Sequence, residues 1–252
     1  MTIFTLHIFW LTIAPSYYWL MYAISFLIWY FFILKTKILS KEKLDSLFLY
    51  IFFWVVLWWR IWYILFYDLS YYISNPSSII KVWEWWMSFH GWALWVIIAT
   101  FIFAKVNRES FLKIIDELSL FVPVWLFFWR IGNYLNKELL GWPYSWFLAV
   151  EKNWNLYFPS PLLEAFLEWI VLFLILYFIS KKRKYLWQIW VSFLIWYWIF
   201  RTFVELFFRL PDEQIWYIFH YLTLWSILSI FMILVWIALH FTLSKKYEIN
   251  NK

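Results

Sequence analysis

Cysteine is absent from this chain of 252 residues, and glycine nearly so, with 3. Without cysteine there can be no disulfide, no thiolate metal site and no thiol nucleophile of the chain's own. Any thiol that reacts here must come from a partner. Charge is also scarce: charged residues make up 14% of the chain and hydrophobic ones 66%, against roughly 25% and 45 to 50% in ordinary soluble domains. Lipid is therefore the expected solvent for most of the surface. The first 34 residues contain no Lys or Arg, so the basic start of a cleavable signal peptide is missing and the first apolar run is expected to remain as a span. No H-x-x-H spacing, phosphate-binding glycine loop or G-x-S-x-G elbow occurs, which argues against metalloprotease, nucleotide-driven and serine-hydrolase chemistry.

What is present is a series of apolar runs. A membrane span needs about 17 to 25 largely apolar residues, and seven stretches are read as spans: Ser16 to Leu34, Leu47 to Tyr67, Phe89 to Ala104, Leu118 to Ile131, Pro161 to Ile179, Leu186 to Phe208 and Tyr221 to Leu243. The fourth is short by that measure, so its helix begins earlier or breaks before Gly132. The reading is an all-α integral membrane protein, a single multi-pass domain over 1–252. Lys and Arg outside the spans number 0, 4, 1, 3, 2, 4, 1 and 3 from the N-terminus onward. By the positive-inside rule the rich segments are cytoplasmic, which puts the N-terminus outside and the C-terminus inside. The basic clusters are topology signals, and nucleic acid is not an expected partner. Segment 132–161, polar and rich in turn formers, is expected to form a small extracytoplasmic cap.

Those loops hold 18 of the 21 basic residues; the other three, Arg60, Arg130 and Arg201, lie inside apolar runs. A cation at the bilayer centre costs about 2.5 to 3.5 kcal/mol even on lenient insertion scales, so it normally faces a polar cavity and has a partner. Glu164, Glu168 and Glu205 lie at similar apparent depth. Arg201 and Glu205, four apart, could be no more than a salt bridge along one helix. Three arginines, three glutamates and His90 together favour a functional cavity. His7, His220 and His240 fall at span ends and receive no role.

Tryptophan is the second anomaly. There are 25 Trp beside 3 Gly, where average usage of about 7% would give roughly 18 glycines. Trp54, Trp58 and Trp62 are spaced by four, as are Trp125 and Trp129, which is the spacing of small residues that lets membrane helices approach closely. Indoles cannot serve that purpose. Many of these positions are therefore expected to be glycine in the living protein, encoded by UGA in a lineage that reads UGA as glycine. A true aromatic-rich chain is the competing reading.

With that substitution allowed, Met87-Ser88-Phe89-His90-Gly91-Trp92 resembles the M-S-F-H-G-G motif of the bacterial prolipoprotein diacylglyceryl transferases. The run from Trp129 and Arg130 through Gly132, Asn133, Asn136 and Glu138 to Gly141 resembles that family's G-R-x-G-N-F-x-N-x-E-x-x-G. Tyr18-Trp19-Leu20-Met21-Tyr22 resembles Y-G-L-M-Y, and Pro159-Ser160-Pro161-Leu162-Leu163-Glu164-Ala165 resembles Y-P-S-Q-L-Y-E-A. Trp196 through Arg201 to Glu205 resembles G-Y-G-x-x-R-x-x-x-E, continued at Arg209-Leu210-Pro211-Asp212 by R-x-P-D. Trp142, often Arg in relatives, and Pro161, in place of Gln, depart from the pattern.

The resemblance implies a cofactor-free and metal-free transfer at the outer side of the bacterial cytoplasmic (inner) membrane. The diacylglyceryl group of phosphatidylglycerol, a membrane lipid, would pass to the lipobox cysteine of a prolipoprotein signal peptide, releasing glycerol phosphate. It implies His90 as the base that makes the thiolate, with an ordinary pKa near 6.5. Arg130 and Arg201 would hold the phosphate, since guanidinium offers a rigid fork of donors and stays charged in low dielectric. Glu205 would orient Arg201, and Glu164 would balance Arg130 or bind glycerol hydroxyls. Asn133, Asn136, Glu138 and Gly141 would shape the head-group site, and Tyr18 would hydrogen-bond lipid or a catalytic side chain. Arg60 could serve helix packing alone. Two other classes stay open: a proton- or ion-coupled transporter, against which no internal repeat is visible, and a non-catalytic membrane scaffold if the tryptophans are genuine.

Overall fold

The computed structural model describes residues 6–8, 11–13, 17–67, 69–75, 89–209, 217–218 and 222–244. They are mostly helical. In chain order, the helices are α1 (Tyr17–Thr36), α2 (Lys41–Tyr67), α3 (Leu69–Ser74), α4 (Phe89–Val106), α5 (Phe111–Leu135), α6 (Ser160–Ala165), α7 (Leu172–Lys181), α8 (Gln188–Phe207) and α9 (Leu224–Ser244). A π-helical turn, Phe166–Val171, joins α6 to α7 without a break. Each of the seven apolar stretches falls largely on helix. The fourth belongs to a helix that starts at Phe111, which accounts for its apparent shortness. Among the described residues, two helices are long and apolar enough to cross a membrane: Ser160–Lys181, with mean hydropathy 2.3, and Gln188–Phe207, with 1.4.

The all-helical expectation omitted three short antiparallel pairs. These are β1 (Leu6–Ile8) with β2 (Leu11–Ile13), β3 (Val150–Lys152) with β4 (Asn155–Tyr157), and β5 (Tyr217–Ile218) with β6 (Leu222–Thr223). The second pair lies in the expected cap segment, where Pro143 also bridges to Tyr157.

The chain forms two compact units, with most of α2 to α4 in 34–115 and the remaining helices in 17–33 and 116–244. In the first, α2 packs on α4 through buried Ile51, Val55, Val96, Ala99 and Phe103. The rings of Tyr50 and Phe103 meet edge-on, and Lys43 pairs with Glu109.

In the second unit, the buried Trp29 indole of α1 donates to the Leu118 carbonyl of α5 at 3.2 Å. Phe32 stacks on Phe121, and α8 packs against α7 and α9. At the end of this unit opposite the cap segment's side of α5, Arg183 lies 3.5 Å from the Asp116 carboxylate and 3.3 Å from Glu117. Asp116 accepts from the Trp190 backbone N–H. His240, given no role from sequence, is bonded through Nδ1 to the Tyr185 hydroxyl at 2.5 Å.

Candidate functional site

Four separate pieces of the second unit deliver charged side chains to one buried place. The last turns of α5 carry Arg130 and Asn133, both buried. Helix α6 opens with Ser160 and Pro161, where proline suits the first turn because its missing N–H would have no helical partner there. Glu164 follows one turn later and is fully buried. The π turn brings in Glu168, and the far end of α8 supplies Arg201 and Glu205. Arg209, just past α8, completes the set.

These side chains alternate in sign. Glu168 grips Arg130 with both oxygens, at 2.8 Å to Nε and 2.9 Å to Nη2. The remaining terminal nitrogen, Nη1, lies 3.1 Å from Glu164. The other Glu164 oxygen accepts from Arg201 Nη1 at 2.6 Å. Arg201 Nη2 then meets Glu205 at 3.1 Å, and Glu205 faces Arg209 Nη1 at 3.4 Å. Arg209 lies 3.9 Å from Glu164 as well, so Glu164 is the hub, within 4 Å of all three guanidinium groups.

The set is charge-balanced, as burial requires: a buried ion is tolerated only when paired and well hydrogen-bonded. Exposure differs among its members. The Glu164 side chain is 0% exposed, whereas that of Arg201 is 17% exposed. Arg201 is therefore the guanidinium most able to meet a ligand. Planar, permanently charged and able to bond two oxygens at once, it suits a phosphoryl group.

The same compact unit contains an apolar groove of about 410 Å³. Ile28 and Phe32 of α1, Phe127 and Phe128 of α5, Trp169 of the π turn and Leu174 of α7 line it. Two of these residues neighbour the charged set in sequence: Trp169 follows Glu168, and Phe128 precedes Arg130 by two. On the other face of α5, Trp125 and Trp129 pack on the Tyr22 ring at 5.8 and 6.1 Å.

The segment after α5 folds back over the charged residues. Asn133 accepts the Glu138 N–H through its carbonyl at 2.9 Å, and Gly132 accepts from Asn136 at 3.0 Å. Gly141 is held between two backbone segments: its N–H donates to the Phe158 carbonyl at 2.8 Å, and it bridges to Arg209. A β-carbon at 141 would meet the Phe208 carbonyl oxygen at 2.1 Å. That neighbour is backbone and cannot swing away. Gly141→Ala is expected to force the 141 segment off the Phe208–Arg209 backbone, at about 1 to 3 kcal/mol for overpacking. A fall in the detergent melting temperature together with reduced activity would be the result, checked by thermal unfolding and turnover of the purified variant.

The structure thus brings together Arg130, Arg201, Glu164 and Glu205 of the sequence-derived site. Asn133 and Gly141 lie beside them in the fold-back, and Asn136 and Glu138 are partly exposed there. For Tyr18 and His90 only the helical backbone is described, and their side chains, like that of Arg60, lie outside the described residues, as do Met87 and Ser88. Two members of the set were not named as site residues from sequence. Glu168 had been noted only as a depth-matched partner; its signal was its place one turn after Glu164. Arg209 lies outside the apolar runs, just past α8, yet it is 3% exposed and faces two glutamates. The R-x-P-D run was the available clue.

The family model described as prolipoprotein diacylglyceryl transferase matches residues 5–242. The chain is 38% identical over 239 residues to the phosphatidylglycerol--prolipoprotein diacylglyceryl transferase of Rickettsia bellii, covering 90% of each. It is 36% identical to the enzyme of that name from Wolbachia pipientis, over 89% of this chain and 90% of the relative. To the Pseudomonas fluorescens enzyme of the same name it is again 36% identical, over 80% and 78%. A family match over residues 5–242, with a relative 38% identical over 90% of both chains, means that this chain belongs to the prolipoprotein diacylglyceryl transferase family.

Proposed function

We propose that this protein is an enzyme transferring the diacylglyceryl group of phosphatidylglycerol to the lipobox cysteine of prolipoproteins, the first step of lipoprotein maturation. The observation that carries this reading is the buried alternating set centred on Glu164, in the same compact unit as an apolar groove. A phospholipid needs both a place for its phosphate and an apolar path for its chains. Arg201 would take the phosphate, with Arg130 behind it. Glu164 and Glu205 would hold the forks in position, and Asn133, Asn136, Glu138 and Gly141 would frame the head group. Tyr18 would hydrogen-bond the lipid.

In the reaction, a base removes the proton from the cysteine thiol. The thiolate sulfur forms a bond to the glyceryl carbon that carries the phosphate, the carbon–oxygen bond breaks, and its electron pair leaves with glycerol phosphate. His90, in its M-S-F-H-G setting, is our choice of base, because imidazole accepts a proton near neutral pH. The arginines would offset negative charge as the phosphate departs, which is where fixed cations lower a barrier most. No cofactor or metal has a part in this scheme.

The wider placement follows the same reading. A single domain with seven spans, N-terminus outside and C-terminus inside, would sit in the inner membrane of a bacterium. Segment 132–161 would then lie as a cap on the outer side, where the active site and the prolipoprotein signal peptide would meet. Purified protein in detergent, given phosphatidylglycerol and a synthetic lipobox peptide, should yield a peptide heavier by a diacylglyceryl group. The reaction should need no ion gradient. Flux across proteoliposomes driven by a gradient, with no modified peptide, would instead favour a transporter.

A further inference from the structure

The cap hairpin carries an independent statement about the chain's own chemistry. Strands β3 and β4 pair Lys152 with Asn155, so Asn153 and Trp154 alone make the turn. Both have positive φ, 52° and 65°. A two-residue hairpin turn with both centres left-handed is type I′, and its strongly preferred sequence is Asn-Gly. Here the first residue is the expected Asn, and the second is a bulky aromatic in a conformation that β-carbon contacts disfavour. Nor does the indole gain anything from packing, since Trp154 is 94% exposed.

Trp187 shares only the backbone conformation: it precedes α8 with φ 59° and ψ 16°, and its ring packs on Trp190. Other side chains, such as Lys137 and Leu139, also adopt positive φ in this chain, so left-handed backbone alone does not single out tryptophan. At Trp154 the combination does: a turn type that asks for glycine by name, an indole 94% exposed and a chain with 25 Trp and 3 Gly.

We infer that Trp154 is a glycine in the protein as its own cells make it, specified by a UGA codon read by a glycine-charged transfer RNA whose anticodon pairs with UGA. This inference stands on backbone geometry and composition, and it holds whether or not the proposed activity does.

The test is to read the codon at 154 and to measure by mass spectrometry the peptide that contains it, taken from protein isolated from its native cells. A UGA codon and a peptide with glycine in place of tryptophan are expected. UGG at that codon, or tryptophan in the peptide, overturns the inference. A second measurement bears on position 154 by itself. In protein produced with Trp at every such codon, Trp154→Gly should raise the thermal midpoint in detergent above that of Trp154→Ala. A Gly variant that melts no higher than the Ala variant contradicts the turn argument.

Discussion

Replacing Arg201 by alanine should reduce thioether formation by about a hundredfold or more, the usual effect of removing one donor aimed at developing negative charge. Arg201 is the best member of the set to change. It is the most exposed of the three arginines, and without it Glu164 still pairs with Arg130 at 3.1 Å and lies near Arg209. The loss should therefore appear in turnover more than in folding. If the guanidinium acts on the departing phosphate, kcat falls along with kcat/KM. Arg201→Lys keeps the charge but not the fork, and should restore only part of the rate. Initial rates at varied phosphatidylglycerol, with unfolding measured in parallel, separate these effects. A variant as stable as the parent with unchanged rates would remove Arg201 from the mechanism.

Glu164→Ala should have the largest effect on stability. Its two oxygens are within 4 Å of Arg130, Arg201 and Arg209, and its loss leaves buried cations short of a counter-charge. Removing one partner of a buried ion pair costs about 3 to 5 kcal/mol. The detergent melting temperature should drop sharply. Glu164→Gln, which preserves shape and one acceptor oxygen, should fall between. Glu205→Ala should do less harm to Arg201, which keeps its 2.6 Å bond to Glu164. Thermal unfolding of the three variants checks the order, and a Glu164→Ala protein that melts like the parent would mean that the hub has no structural weight.

Much of this architecture could be read from the sequence because lipid imposes strong rules. Apolar runs of span length, basic residues concentrated in alternate loops and a few charges inside the runs each have a physical cost that makes them informative. Arg130, Arg201, Glu164 and Glu205 were legible for that reason. Glu168 was harder to assign because its contact depends on the π turn at Phe166–Val171, and nothing in Phe-Leu-Glu-Trp-Ile-Val announces such a turn. Arg209 gives no such signal because it lies past the apolar run, and its burial beside Glu164 and Glu205 is a matter of tertiary structure. The need for glycine at 141 was visible as part of a motif, but its cause, a backbone oxygen where a β-carbon would sit, is a long-range contact. The cap hairpin escaped notice because Asn-Trp is not a turn sequence, whereas Asn-Gly would have been.

The central claim is that the Glu164-centred set is where the phosphate of phosphatidylglycerol binds. Its most direct test is the retention of phosphatidylglycerol by purified parent and Arg201→Ala proteins, followed by native mass spectrometry across a lipid titration. The account predicts saturable binding to the parent and a clear loss of it in the variant, with phosphate-free diacylglycerol binding both equally. Equal retention of phosphatidylglycerol by the two proteins would contradict it and place the head group elsewhere in the molecule.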